Sequence, residues 1–316
     1  MDIITELLSS KEFKEKPPVL IDIGASGNLH PEWKKIAKYS VCIAFDADNR
    51  DFEYIENDKS EFKKLYIINK IITENDGMDK FYLTKSPYCS SSLPPNSDRL
   101  KDWSFSELFY VKRIVELETV SLPTVLNKLS INYIDWFKTD SQGTDLRLFR
   151  NLGSEIISNV IIAEFEPGIN DAYLDEDKMH SVMSFMEKYP FWLSDLVIKG
   201  TQRINSANLK DNFNKLEQRM FSCLLKRSAF WGEMTYINSF KQHENLNKRD
   251  LLLGWIFCAI NQQHGFAFEL AQIGKSLFKD QIFEALRIDS IRSIKRNRRR
   301  IPIYLAKRIY SKFFRF

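Results

Sequence analysis

The chain has 316 residues, with 46 Lys and Arg against 42 Asp and Glu for a formal net charge of +4, and it is 44% hydrophobic and 13% aromatic. This composition excludes a disordered chain, a collagen-like repeat and a small disulfide scaffold, and the length allows one or two domains with a large core. The four cysteines, Cys42, Cys89, Cys223 and Cys258, form no CxxC pair, which fits a reducing cytoplasm better than a zinc knuckle or a disulfide framework.

The opening segment, MDIITELLSSKEFKEK, has acidic residues where a secretion signal has basic ones and no sustained apolar run, so the expected location is cytoplasmic. From residue 17 to about 198, short β-rich runs alternate with longer amphipathic stretches. VLIDIG (19–24), YSVCIAFDA (39–47), LYIINKII (65–72), KFYLT (80–84), IDWFKTD (134–140) and NVIIAEFEP (159–167) read as strands. HPEWKKIAKY and VSLPTVLNKLS read as helices between them, and CSSSLPPNSD (89–98) as a loop. Such alternation predicts an α/β fold, a doubly wound and mostly parallel sheet covered on both faces. Beyond about residue 200 the pattern turns helical. LLLGWIFCAI (251–260) is about half the roughly 20 residues a spanning helix needs, so it reads as a buried helix. The expected organisation is a cofactor-binding domain over 1–200, a helical extension over 201–286 and a basic tail over 287–316.

The stretch VLIDIGASGN concentrates the chemistry. A strand ends in Asp22, Gly24, Ala25, Ser26 and Gly27, where glycine allows a sharp bend and close approach to a ligand. About 20 residues later IAFDADNR places Asp46 and Ala47 at the end of the next strand, where a carboxylate can hold both hydroxyls of a ribose. The glycine spacing departs from the GxGxxG of a pyrophosphate site, and Asp22 stands beside it. A nucleoside cofactor with an amino-acid tail, S-adenosylmethionine, fits better than NAD. The simpler alternative is that Gly24 and Gly27 only make a tight strand-to-helix turn.

These segments resemble the FkbM-type methyltransferases, S-adenosylmethionine-dependent O-methyltransferases with a Rossmann-like fold. The resemblance runs from about residue 19 to 196. It is carried by VLIDIGASGN, AFDAD, the SSSL of 90–93, and above all YIDWFKTDSQGTDLRLFRNL (133–152) with Lys138, Asp140, Gly143 and Asp145, followed by NVIIAEFEPG with Glu164 and Glu166. It implies that Gly24 and its neighbours approach the methionine moiety, that Asp46 holds the ribose, that Ile72 and Thr73 within 71–74 lie near the adenine, and that Asp140 sits where methyl group and acceptor hydroxyl meet. Asp46 and Asp145 are shorter than the Glu usual in the family, and Asp48 replaces a common Pro.

Asp140 and Glu164, at the C-terminal ends of adjacent strands, are candidates for the base that takes the acceptor proton. Either could instead orient substrate, cap a helix or bind a divalent ion, so metal dependence stays open. His180, at the start of a helix near the same crevice, is a third candidate base, while a lone histidine is more often a surface or capped residue. The acceptor implied by the resemblance is a sugar hydroxyl of a glycan, glycolipid or polysaccharide precursor.

The charge is unevenly spread. Residues 287–316 hold eleven Lys and Arg against Asp289 alone, a charge of +10, so the remainder carries −6. After Pro302, Leu305, Ala306, Ile309, Tyr310, Phe313 and Phe316 would share one helical face opposite Lys307, Arg308, Lys312 and Arg315. That describes either a helix lying on an anionic membrane, here the inner face, or a terminal helix docked on the core. Nucleic acid is disfavoured, because the acidic body repels phosphate and TDSQG stands where a base-flipping enzyme would carry an NPPY-like motif. The alternative function is a peripheral membrane or nucleic-acid-binding protein that uses the fold as a binding module.

Overall fold

The computed structural model describes residues 2–24, 30–48, 61–241 and 246–296. These residues fall into two compact units, Met1–Glu15 with His243–Phe316, and Lys16–Gln242.

The larger unit contains ten strands among the described residues: β1 (Val19–Ile23), β2 (Val41–Phe45), β3 (Lys64–Ile68), β4 (Ile71–Ile72), β5 (Gly77–Thr84), β6 (Val111–Val120), β7 (Trp136–Thr139), β8 (Ile162–Phe165), β9 (Phe191–Thr201) and β10 (Ser228–Asn238). Seven of them form one sheet in the order β3-β2-β1-β7-β8-β10-β9. The first five are parallel, β10 runs antiparallel to β8, and β9 antiparallel to β10. β4, β6 and β5 make a separate three-stranded sheet. The central strands are short and apolar, as a parallel sheet buried on both faces requires. Asp22 in β1, Lys138 in β7 and Glu164 in β8 are charged exceptions, and Asp22 is fully buried.

One face of the sheet packs Ile21, Ile43, Phe137 and Phe165 against helix residues such as Leu146 and Phe149. Phe149 meets Phe137 at 4.9 Å and Phe165 at 5.1 Å between centroids. Each such side chain contributes roughly 1.5–3 kcal/mol by leaving water. Another buried group pairs Trp33 edge-on with Trp136 at 5.9 Å.

The sequence pattern is followed at the parallel strands and departs elsewhere, with β6 and β9 forming strands where none was expected. The run 65–72 is broken, so that β3 joins the large sheet and β4 the small one. HPEWKKIAKY forms two short 3-10 turns, Pro31–Lys35 and Ala37–Tyr39, instead of a helix. The segment after residue 200 is not wholly helical, because β10 enters the sheet beside β8, so the larger unit continues to 242. Position 287 falls inside the helix Gln281–Arg296, whose Phe283, Leu286, Ser290 and Ser293 are buried. The tail beyond 296, including the amphipathic stretch, lies outside the described residues.

The smaller unit contains the helices Ile3–Leu8, Lys11–Glu15, Lys248–Ile260, His264–Phe278 and Gln281–Arg296. In Lys248–Ile260 the run 251–260 is buried at every position except Ala259. Trp255 Nε1 donates to Ser290 Oγ at 2.9 Å. Lys248 reaches Glu12 at 3.2 Å and Asp280 at 2.9 Å. Among the described residues no helix is long and apolar enough to cross a membrane.

Candidate active site

The strand register places the site. Ile23 pairs with Phe45 and with Thr139, and Thr139 pairs with Phe165. One residue further, Asp46, Gly24, Asp140 and Glu166 therefore stand level, just past the C-terminal ends of four adjacent parallel strands. That edge is where open α/β sheets bind ligands. The backbone holds the row together: Gly24 N donates to Phe45 O at 3.0 Å, and Asp140 N to Ile23 O at 2.9 Å. Gly24 has φ +77°, and a Cβ there would lie 2.1 Å from the Asp140 carbonyl oxygen. Only glycine fits this crossing.

One pleat back lies a second polar row, Asp22, Lys138, Glu164 and Thr235, which are register partners. Lys138 Nζ donates to Asp22 Oδ1 at 2.9 Å. Desolvation works to lower the pKa of Lys138, yet the charges of Asp22, Asp140 and Glu166 hold it above its ordinary value. Glu164 accepts from Trp136 Nε1 at 3.2 Å and from Thr235 Oγ1 at 3.5 Å, and His30 Nε2 lies 3.2 Å from its Oε2. His30 Nδ1 accepts from Glu32 N, which assigns the ring proton to Nε2.

Two cavities open beyond the level row. The first is lined by Gly24, Asp46, Ala47, Ile71, Ile72 and Asp140, with Phe45 and Phe81 among its apolar walls. The second, about 340 Å³, is walled by Phe105, Phe109, Tyr173, Phe230 and Trp231, and carries Asp140, Glu166 and Glu176. The second falls within the roughly 300–1,000 Å³ of small-molecule sites. Tyr88, Asp140 and Gln142 line both, so the cavities meet at these three residues.

The junction is tightly held. Gln142, at φ +58°, donates its amide to Asp140 Oδ1, and Tyr173 OH lies 2.9 Å from Gln142 Oε1. Asp145 is buried beneath the junction. It accepts from Ser141 N at 2.9 Å and Thr139 Oγ1 at 3.1 Å with one oxygen, and from Glu166 N at 2.7 Å with the other. It thus ties the end of β7 to the end of β8. Burial raises the Asp140 pKa to about 6, opposed by Lys138 and reinforced by Asp145. Burial and then the Asp140 charge push Glu166 up to about 9. Near neutrality the coupled pair therefore holds one proton and one negative charge between them.

Of the residues singled out in the sequence, Gly24, Asp46, Ala47 and Ile72 line the first cavity, and Asp140 lines both. Ala25, Ser26 and Gly27 lie outside the described residues. Thr73 faces the neighbouring cavity with Glu74 to Asp79, its hydroxyl donating to Asn75 O at 2.6 Å. Asp22 and Glu164 line neither cavity, because each lies one pleat below the strand ends. His180 is exposed on the helix Met179–Met186 and lines neither. Sequence reading passed over Glu166, Gln142 and the aromatic wall. The signal for Glu166 was available: counted from the strand end, Glu166 is level with Asp140 and Glu164 is not.

The donor set suits a nucleoside whose tail carries no phosphate. A carboxylate stands at the end of β2, apolar walls from Phe45, Ile71, Ile72 and Phe81 form a slot for a flat base, and Gly24 leaves room that a side chain would fill. A parallel sheet with an antiparallel strand inserted near one edge, ending in such a cleft, defines a Rossmann-like enzyme of the methyltransferase type. The family model described as methyltransferase FkbM domain matches residues 28–192, more than half of the chain. The chain belongs to the FkbM methyltransferase family, and membership implies S-adenosylmethionine as methyl donor. A search of curated proteins found no match. Among solved structures, an uncharacterized protein from Listeria monocytogenes serotype 4b is similar at 11% identity and a TM-score of 0.33, over 90% of this chain and 96% of that one. Among the described residues, no group of three or more His, Cys, Asp or Glu is placed to hold a metal ion.

Proposed function

We propose that the protein is an O-methyltransferase acting on a sugar hydroxyl of a glycan, glycolipid or polysaccharide precursor. The observation that supports this reading is the meeting of two cavities at Tyr88, Asp140 and Gln142. Gly24, Asp46, Ala47, Ile71 and Ile72 would hold S-adenosylmethionine in the first cavity, with the acceptor in the second. When bound there, S-adenosylmethionine supplies a sulfonium methyl group, whose C–S electron pair returns to sulfur as the acceptor oxygen forms the new C–O bond. Asp140, ionised above about pH 6, accepts the hydroxyl proton. Gln142 fixes its rotamer. Glu166, protonated at neutral pH, donates a hydrogen bond toward the acceptor instead of adding a second negative charge. Positioning by the aromatic walls supplies much of the rate.

The test is methyl transfer from labelled S-adenosylmethionine to surface glycans extracted from cells lacking the gene. Transfer by wild type, lost in Asp140→Asn while S-adenosylhomocysteine binding persists, supports the reading. Wild-type labelling confined to protein or nucleic acid would defeat it.

A second reading concerns where the enzyme works. The helix Lys215–Leu224 exposes Leu216, Met220 and Leu224 at i, i+4 and i+8, with Leu225 beside them. Lys215, Arg219, Lys226 and Arg227 flank this stripe. An apolar stripe edged by cations supports attachment to an anionic lipid surface, the role proposed also for residues 287–316. Salt-sensitive flotation with anionic vesicles, weakened by Leu216→Ser and Leu224→Ser, is the expected result. Equal flotation with neutral vesicles would contradict it.

A further inference from the structure

The second cavity carries more information than its size. Its carboxyl lining consists of Asp140, Glu166 and Glu176, with no Lys, Arg or His among the described residues that line it. Two lysines stand behind those carboxyls and both are committed, Lys138 to Asp22 at 2.9 Å and Lys178 to Glu176 and to Asp171 at 2.7 Å. Glu176 is further occupied by the backbone N–H groups of Ala172 at 3.0 Å and Tyr173 at 3.3 Å. The opposite wall is aromatic: Phe105 and Phe230 meet edge-on at 4.8 Å and 89°, Phe105 lies 6.4 Å from Trp231, and Phe109 lies 5.6 Å from Tyr173.

From this lining we propose that the cavity is an acceptor subsite for an uncharged sugar ring, whose C–H face lies on the aromatic wall and whose hydroxyls meet the carboxyl wall, and that it rejects the anionic counterparts of that ring. The inference rests on the methyltransferase reading and adds a substrate class to it. A uronic acid or phosphosugar would bring a second negative charge close to Asp140, where the one cation beneath, Lys138, is already paired with Asp22. In a partly desolvated site that repulsion weakens binding by about 100-fold or more. A neutral pyranose meets no such penalty, and aromatic faces and carboxyl oxygens satisfy its apolar and polar sides respectively.

The experiment uses the full chain in the presence of S-adenosylhomocysteine, whose binding is first measured by calorimetry. Saturation-transfer NMR then compares methyl glycosides of glucose, galactose, mannose and rhamnose with methyl glucuronide and methyl galacturonide. The expected result is contact with at least one neutral glycoside, lost in Trp231→Ala, and none with the uronides. Glu166→Lys, which adds a cation to the cavity, is expected to admit a uronide, and Glu166→Gln is expected to keep the neutral preference. Uronides that bind wild type as well as neutral glycosides do, or no glycoside binding by protein that holds S-adenosylhomocysteine, would overturn the proposal. Loss of S-adenosylhomocysteine binding itself would instead overturn the methyltransferase reading beneath it.

Discussion

Replacing Gly24 with alanine perturbs the site at its narrowest point. The new Cβ would stand 2.1 Å from the Asp140 carbonyl oxygen, and the backbone there has φ +77°. An ordinary contact needs 3.4 Å or more, so the end of β1 or the end of β7 must give by more than about 1 Å. The left-handed backbone adds roughly 1–2 kcal/mol of its own. The displacement cannot spread freely, because Gly24 N is tied to Phe45 O and Asp140 N to Ile23 O. It therefore falls on the junction between the two cavities. A misplacement of about 1 Å typically costs about 100-fold in a positioned reaction. The assay is paired: calorimetric binding of S-adenosylhomocysteine and kcat/KM for methyl transfer, with circular dichroism to confirm that the sheet persists. A folded Gly24→Ala protein that binds and turns over within about threefold of wild type would refute the claim that Gly24 closes the floor of the donor cleft.

Four other outcomes are expected. Lys138→Met leaves the fully buried Asp22 without its ammonium partner and is expected to cost about 3–5 kcal/mol, roughly 6–20 °C in Tm, most of it recovered in Asp22→Asn/Lys138→Met; a double variant no better than the single one would show that the ion pair is not what Lys138 supplies. The pH dependence of kcat/KM is expected to rise through about 6 as Asp140 ionises and to fall near 9 as Glu166 loses its proton, with Glu166→Gln removing the alkaline limb. Because burial raises the Glu166 pKa, the folded state holds a proton that the unfolded state has released above about pH 4.5. Stability from this group is thus lost as pH rises from there toward 9, and Glu166→Gln is expected to raise Tm at pH 8 but not at pH 4. In the smaller unit, Gly274→Ala would put a Cβ 2.1 Å from the buried Phe283 ring and is expected to destabilise by about 1–3 kcal/mol, whereas Gly265→Ala in the same helix meets nothing within 4 Å and is not; urea unfolding of the two variants decides it.

The parallel core was legible in the sequence because buried strands must be short and apolar, and VLIDI, VCIAF and IAEF read that way. The positions of Gly24 and Asp46 followed from the same runs, since a strand's last apolar residue marks where the sheet edge begins. The antiparallel strands were harder. β10 does alternate, with Phe230, Gly232, Met234 and Tyr236 on the buried side, but it follows a helical stretch that masked the change of period. β6 is mostly exposed along its length and carries little apolar signal. HPEWKKIAKY has helical spacing but folds only into 3-10 turns. Glu164 lies one pleat below the row and Glu166 level with Asp140, a difference that counting from the strand end reveals once the strand's last residue is known. The aromatic wall of the second cavity is assembled from segments more than 100 residues apart, Phe105 and Phe109 with Phe230 and Trp231, and no local pattern links them.

The measurement that tests the account most directly is calorimetric binding of S-adenosylmethionine and S-adenosylhomocysteine to the wild type and to Asp46→Ala, with NAD as a control. The level row of Asp46, Gly24 and Asp140 at the sheet edge predicts binding of both sulfur nucleosides, loss in Asp46→Ala, and no binding of NAD. Folded wild-type protein that binds neither, or that binds both equally well without the Asp46 carboxylate, would contradict it.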